Sequence, residues 1–177
     1  TQFQEDTTRE FKRALKDLDS GKQPLKGLIL DLRRDPGGLL DQAVNVSDEL
    51  LDSGLIVSTE GRIESQQMKF YAKKGSERHD YPLVVLVNAG SASGSEIVAG
   101  ALQDHGRAVV VGTQTFGKGT VQTIIPLNDG SGLRLTTAKY YTPNHRSIQE
   151  KGVTPDIIVE DKVPVESTAG EKPQYIR

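Results

Sequence analysis

The chain has 177 residues, of which 35% are hydrophobic and 26% charged, and a formal net charge of -2. This length suits one domain with a sizeable core, the charge balance gives no electrostatic footprint for nucleic acid, and no apolar run approaches the ~20 residues of a membrane span. The absence of Cys excludes disulfides, thiolate zinc sites and cysteine nucleophiles.

The first third of the chain shows helix, strand, glycine turn and helix patterns. Apolar residues at helical spacing near the N-terminus precede a short apolar strand at Leu28–Leu32. The turn Pro36–Gly38 follows, where glycine lets the backbone take positive φ and approach a ligand closely. A second helical pattern then runs to Gly54, a natural helix stop. Two further strands are predicted at Leu55–Thr59 and Met68–Tyr71.

The same plan of strand, turn and helix recurs at Pro82–Leu102. Leu83–Val87 predicts a buried strand, and Glu96–Leu102 a helix that Gly106 ends. The remaining strands are predicted at Ala108–Val111, Val121–Pro126, within GSGLRLTTAKYYTP, and within VTPDIIVE. Strands alternating with helices indicate an α/β fold with βαβ crossovers and some antiparallel β in the C-terminal half.

Three serines, Ser91, Ser93 and Ser95, crowd the corner between that strand and its helix. Ser93 and Glu96 have the spacing of a capping box, which satisfies free backbone N–H groups at a helix start. Alternatively, one serine is a nucleophile held at the turn, with backbone N–H groups nearby for an oxyanion. This stretch alone favours the cap.

Two other features of the sequence, a partial phosphate-binding motif and three histidines, bear on other functions. Gly112–Lys118 fits the start of a phosphate-binding loop, but Gly119 stands where that loop needs Ser or Thr, and a β pattern follows in place of a helix. The histidines, His79, His105 and His145, lack metal-ligand spacing, so surface or helix-end roles are expected and no metal site is predicted. A Ser-His-Asp triad stays open because geometry defines it, although the hydrolase elbow G-x-S-x-G is absent.

The remaining candidate base is Lys118, which lies between Gly117 and Gly119. A lysine accepts a proton from serine only in its neutral form, which burial favours. Gln122, four residues further on, could hydrogen-bond and orient the amine without adding charge. Each residue also has an ordinary interpretation, Lys118 as a solvated loop residue and Gln122 as an outward strand residue.

Four blocks in order resemble the catalytic core of the carboxyl-terminal processing peptidases, or tail-specific proteases: LRRDPGGLL, VLVNAGSASGSEIVAGALQD, GTQTFGKGTVQ and KYYTPNHRSIQEKGVTPDI. The similarity runs from the first helix to VTPDI. It implies a crotonase/ClpP-like core of βαβ units with a mixed sheet. It also implies a serine endopeptidase that cleaves proteins near their C-terminal tails without metal or cofactor.

The resemblance assigns roles residue by residue. Ser93 matches the nucleophile, Lys118 the general base, and Gln122 the residue that orients the lysine. The oxyanion hole would use the backbone N–H of Gly94, where the family commonly has Ala, and that of Gly37 or Gly38.

Family members usually carry a PDZ domain and upstream core strands, and we expect neither within these 177 residues. Residues 1–160 are therefore expected to form the catalytic core, and 161–177 a loosely packed tail. The expected partners are a protein or peptide with an exposed C-terminus, the PDZ domain of the full-length chain and a second copy in a homo-oligomer. By resemblance, the expected location is periplasmic or otherwise extracytoplasmic, and the resemblance also implies membrane association of the full-length protein.

Other classes stay open. One is a non-catalytic peptide-binding or structural domain of the same fold, and another is an inactive truncated core. A third is a crotonase-type acyl-transfer enzyme, for which the sequence offers no coenzyme A site.

Overall fold

The computed structural model describes residues 2–21, 25–64, 67–73 and 80–160. Within these ranges the elements follow one another as α1 (Thr7–Asp19), β1 (Leu28–Asp31), α2 (Leu40–Leu50), β2 (Gly54–Gly61), β3 (Met68–Ala72), β4 (Leu83–Val87), α3 (Gly94–Asp104), β5 (Val109–Gly112), β6 (Thr120–Pro126), β7 (Gly132–Tyr141) and β8 (Ile157–Ile158).

Four strands form a parallel sheet in the order β1-β4-β5-β8. Because parallel strands end at the same edge, the loops after β1, β4 and β5 lie together there. The loop after β1 contains the Pro36–Gly38 turn, the loop after β4 contains the three serines, and the loop after β5 contains Lys118. Three segments far apart in sequence therefore meet at one edge of the sheet.

The other four strands form an antiparallel sheet in the order β3-β2-β7-β6. Strands β6 and β7 make a hairpin that closes with a hydrogen bond from Leu127 N–H to the Ser131 carbonyl, 2.8 Å. Strand β6 has only β7 as a neighbour among the described strands. It is therefore an edge strand with one side of its backbone unpaired.

The core lies around α3, whose residues from Gly94 to Leu102 are all buried. Leu102, Ile56 on β2 and Val85 on β4 are fully buried members of one apolar cluster. Burial of such side chains stabilises the fold by roughly 1.5–3 kcal/mol each. The helix that begins at the serine corner is thus anchored along its length.

The predicted fold class is confirmed, with the parallel and antiparallel strand pairs divided between two sheets. The second helix ends at Leu50, before the predicted stop, and Gly54 instead begins β2 with a φ of +102°. No helix in the described ranges has the length and apolar character to cross a bilayer. The tail predicted at 161–177 lies outside the described residues.

Candidate active site

Ser93 occupies the N-cap position of α3 with φ +53° and ψ -112°. A positive φ is uncommon for a residue with a side chain, and such strain persists only where the surrounding structure enforces it. In α/β-hydrolases the nucleophilic serine lies on a sharp, strained strand-to-helix turn, and Ser93 has a position of the same kind although the G-x-S-x-G motif is absent. The predicted capping box of Ser93 and Glu96 is also present, so the cap and the strained corner coexist.

The three serine hydroxyls differ in what they donate to. Ser91 Oγ donates to the Leu32 carbonyl at 2.7 Å, and Ser95 Oγ donates to the Asp35 carbonyl at 2.9 Å. Both side chains are buried and fasten the corner to the loop after β1. The Ser93 hydroxyl is half-buried and donates to no group among the described residues. Ser93 is therefore the serine whose O–H is available for chemistry.

The glycine turn after β1 packs directly against this corner. Gly37 has a φ of +88°, and a Cβ on it would lie 2.5 Å from both the Ala92 carbonyl oxygen and the Gly94 nitrogen. The same Cβ would lie 2.8 Å from the Ser93 Cβ. Asp35 fixes the contact, since its carbonyl accepts from Ala92 N–H at 2.9 Å. Only glycine fits between the turn and the serine.

The backbone N–H groups of this turn point in different directions. Gly37 N–H donates to Asp35 Oδ1 at 2.9 Å, so this N–H group already has an acceptor. The Gly37 carbonyl accepts from Phe3 N–H at 2.9 Å. Because that carbonyl and Gly38 N–H belong to one trans peptide, Gly38 N–H points away from Phe3. Gly38 N–H and Gly94 N–H have no acceptor among the described residues.

The loop after β5 brings the backbone of Lys118 to the serine corner. Phe116 N–H donates to the Ser91 carbonyl at 3.0 Å, and Gly119 N–H donates to Gln149 Oε1 at 3.0 Å. A Cβ on Gly119 would lie 2.3 Å from the Gln149 nitrogen, so the loop backbone is tightly packed. The Lys118 side chain is exposed, however, and its amine makes no hydrogen bond or ion pair with the described residues. Lys118 is thus a loop residue with an exposed side chain, which is its ordinary interpretation from the sequence.

Glu96 joins the serine corner to the loop that carries Lys118. Its fully buried carboxylate accepts four hydrogen bonds, from Ser93 N–H at 2.8 Å, Thr115 Oγ1 at 2.5 Å, Gly117 N–H at 2.6 Å and Lys118 N–H at 2.9 Å. Of these four bonds, the capping-box spacing predicts only the one to Ser93. The available signal was a single carboxylate in the otherwise small and apolar helix SEIVAGAL.

Gln122 lies on β6, where it pairs with Thr136 directly after an irregularity in the β6–β7 register. Its side chain is exposed and makes no hydrogen bond to Lys118 in the ranges that the structure describes. The structure thus brings together the backbones of Ser93, Lys118 and the glycine turn, and it leaves Gln122 apart from the Lys118 amine.

The described histidines have partners elsewhere. His105 Nε2 lies 2.7 Å from the Leu55 carbonyl, and His145 Nε2 lies 2.6 Å from Glu60 Oε1. His79 lies outside the described residues. The described part of the chain contains no group of three His, Asp or Glu side chains that could hold a metal ion.

The charged pair Asp31 and Arg33 precedes the glycine turn at the end of β1. The Arg33 guanidinium donates to both Asp31 carboxylate oxygens, at 3.0 and 2.8 Å. These hydrogen bonds hold the pKa of the Asp31 carboxyl below its usual value. Both side chains are about half exposed, so the pair supports the end of β1 without being part of the core.

A strained serine at a helix start, beside a glycine turn and a lysine loop, is the arrangement of a hydrolase that uses a serine nucleophile. The sequence model of peptidase family S41 matches residues 1–159. The chain belongs to this family, which confirms the resemblance noted from its four sequence blocks.

The names of two similar proteins are consistent with this family. The chain is 58% identical over 166 residues to a carboxy-terminal-processing protease of Bartonella bacilliformis, a match that covers 92% of this chain and 38% of the relative. It is 45% identical over 160 residues to a carboxyl-terminal-processing protease of Synechocystis sp., covering 90% and 36% respectively. The chain thus spans less than two fifths of the length of either relative.

A solved structure agrees in fold. The photosystem II D1 C-terminal processing protease superposes with a TM-score of 0.82 at 41% identity. The superposition covers 90% of this chain and 40% of that protein.

Proposed function

We propose that this chain is the catalytic part of a serine endopeptidase that cleaves proteins near their C-terminal tails through a Ser93–Lys118 dyad. The observation that carries the proposal is Ser93 itself. It is strained at φ +53°, it lies at the start of a buried helix, and its hydroxyl alone among the three corner serines has no acceptor in the described chain. The names of the relatives support the substrate class.

In the proposed mechanism, Ser93 Oγ attacks the carbonyl carbon of the scissile peptide while the neutral Lys118 amine takes the hydroxyl proton. The C–N bond then breaks as Lys118 returns that proton to the leaving amine, which leaves an acyl-enzyme ester on Ser93. Water attacks the ester, Lys118 relays its proton to Ser93 Oγ, and the free carboxylate departs. In this scheme Gln122 orients the Lys118 amine once substrate is bound.

We assign the oxyanion hole to the N–H groups of Gly94 and Gly38. Both lack an acceptor among the described residues, whereas Gly37 N–H already donates to Asp35. The α3 N-terminus adds the positive end of the helix dipole on the same side. Gly37 then serves by its small size, because it lets the turn approach Ser93.

The proposed substrate is a protein with an exposed, extended C-terminal tail. Edge strand β6 begins at Thr120, two residues after Lys118, and offers unpaired backbone groups to which such a tail could add as a strand. By the same family resemblance, the proposal includes a PDZ domain elsewhere in the full-length protein, self-association, and an extracytoplasmic location, periplasmic or at the membrane.

A second candidate, a peptide-binding domain without catalysis, is favoured by one observation. The Lys118 amine is exposed and makes no hydrogen bond to Gln122 in the described chain. This candidate predicts that peptide binds and is released intact.

The deciding experiment measures cleavage of an unstructured C-terminal peptide by the full-length protein and by its Ser93→Ala and Lys118→Ala variants. The proposal expects both variants to lose at least about 1,000-fold in kcat, since the nucleophile and its base act as a unit. The matched control is Ser47→Ala, which removes a buried hydroxyl that donates to the Ala43 carbonyl within α2. Retained cleavage in both dyad variants would refute the proposal, and binding without cleavage by the parent would favour the second candidate.

A further inference from the structure

Glu96 is a buried carboxylate with no cation beside it in the described chain. Its exposed fraction is 0%, and the described residues provide it with no ion-pair partner. A buried carboxylate is costly unless hydrogen bonds replace its hydration. Four donors do so here, and three of them come from a segment about twenty residues further along the chain.

The donors are divided between the two carboxylate oxygens. Oε2 accepts from Ser93 N–H and Lys118 N–H, so these backbone nitrogens lie within two hydrogen-bond lengths of each other. Oε1 accepts from Gly117 N–H and Thr115 Oγ1. Thr115 Oγ1 in turn accepts from Val153 N–H at 2.7 Å. One carboxylate therefore fastens the nucleophile, the candidate base and the segment before β8 to a common point.

A helix cap does not account for this arrangement. Capping needs only the bond between Glu96 and Ser93 N–H, whereas the other three bonds order the loop that carries Lys118. That loop needs ordering, because Lys118 lies between two glycines and its amine has no partner of its own in the described chain. The position of the amine then depends on where the backbone places its Cα.

We propose that Glu96 is a positioning residue that fixes the Lys118 backbone in register with Ser93. The inference rests on the proposed function, and it adds a residue that contacts neither substrate nor reacting atoms. Proton transfer requires heavy atoms within about 2.6–3.2 Å, and a misplacement of about 1 Å costs roughly 100-fold in rate. A loop released from Glu96 loses this alignment while the peptide-binding surface stays intact.

The test uses Glu96→Gln in the full-length protein. An amide has one acceptor oxygen, and its NH2 cannot accept from the N–H groups that the carboxylate now serves. We expect kcat for peptide cleavage to fall roughly 100-fold, from the cost of misplacement, with KM within about 2-fold. Leu102→Ala is the matched control, because it removes a fully buried side chain from the same helix, six residues from Glu96 and so about 9 Å along the helix axis. Leu102→Ala should lower Tm, but its kcat at temperatures below the unfolding transition should stay near that of the parent protein.

A double-mutant cycle distinguishes the positioning role of Glu96 from a merely structural one. The substrate for this cycle is an activated ester, whose leaving group needs no proton. If Glu96 acts through Lys118, adding Glu96→Gln to Lys118→Ala should change the residual ester rate less than about 3-fold, because coupled residues are non-additive. An equal loss in both backgrounds would overturn the inference. So would a parent-like kcat in Glu96→Gln.

Thr115→Val provides the second variant in case Glu96→Gln does not fold. It keeps the side-chain volume and leaves Glu96 in place, but it removes one donor from Oε1 and also removes the acceptor of Val153 N–H. We expect kcat to fall about 10-fold with KM unchanged, as for loss of a single hydrogen bond to a charged group, and an unchanged kcat would contradict the inference. Ser93→Ala and Lys118→Ala are measured alongside. If they cleave like the parent, the proposed function fails; if they are inactive while Glu96→Gln is normal, the positioning role alone fails.

Discussion

Replacing Gly37 by alanine tests whether the glycine turn is shaped by the serine corner. The new Cβ would lie 2.5 Å from the Ala92 carbonyl and the Gly94 nitrogen, and 2.8 Å from the Ser93 Cβ. These neighbours are backbone atoms or a short side chain, so the turn or the corner must shift. The shift would displace Ser93 and Gly94 together.

The control is Gly130→Ala in the β6–β7 turn, where φ is +84° and a Cβ would meet nothing within 4 Å. Both substitutions carry the cost of an L-residue at positive φ, about 1–2 kcal/mol. Gly37→Ala adds the cost of overpacking, typically about 1–3 kcal/mol. The difference between the two variants therefore isolates the contact of Gly37 with the serine corner, residues 92–94.

The assays are urea unfolding and peptide cleavage by the full-length protein. We expect Gly37→Ala to be less stable than Gly130→Ala by about 1–3 kcal/mol. Its kcat should fall at least roughly 100-fold, because the nucleophile moves by an appreciable fraction of an ångström or more. Gly130→Ala should keep kcat within about 2-fold, since its strain is local. Equal kcat values for the two variants would refute the argument that Gly37 is required by the position of Ser93.

Three further substitutions probe the same region. Ser93→Gly should be more stable than Ser93→Ala by about 1 kcal/mol in urea unfolding, because glycine relieves the positive φ that alanine keeps; equal stability would show that Ser93 is not strained. Arg33→Gln should raise the Asp31 pKa toward its usual 3.8, as followed by carboxyl NMR, since the guanidinium hydrogen bonds hold it lower. Because the native pKa of Asp31 is lowered, its carboxylate stabilises the fold fully at pH values above the unfolded pKa of about 3.9. This stabilisation is lost as pH falls through the native pKa, so the free energies of unfolding of parent and variant should converge at acid pH. Gly119→Ala should lower both Tm and kcat, because its Cβ would lie 2.3 Å from the Gln149 nitrogen; normal values of both would contradict the packing of the lysine loop.

Much of the fold could be predicted because local pattern and final structure agree. The apolar run Leu83–Val87 became β4, and the small, apolar helix after it became the buried α3. The positive φ of Gly37 and Gly38 was likewise expected from the PGG turn. What could not be predicted was the division of strands between two sheets, since pairing depends on contacts distant in sequence.

The candidate site shows the same limit. The sequence pattern alone does not show which of Ser91, Ser93 and Ser95 is the nucleophile, and only the family resemblance assigns that role to Ser93. The structure gives a physical reason, because two of the hydroxyls are used to fasten the loop after β1. The bonds from Glu96 to the lysine loop were missed because a capping box accounts fully for a glutamate at this spacing. Only the three-dimensional arrangement shows that its remaining acceptor capacity serves residues 115–118.

Stability and activity should be coupled at most positions of this site and opposed at one. Glu96, Gly37 and Gly119 each satisfy buried groups or permit close packing, so substitutions there lose both folding free energy and alignment of the dyad. Ser93 is different, because its backbone is strained while its hydroxyl donates to nothing in the described chain. Replacing it by glycine removes strain and removes the nucleophile together. A site built only for stability would not keep a serine at φ +53°. The hydrogen bond from Ser93 N–H to Glu96 and those from Ser91 and Ser95 to the loop after β1 hold the corner in this conformation.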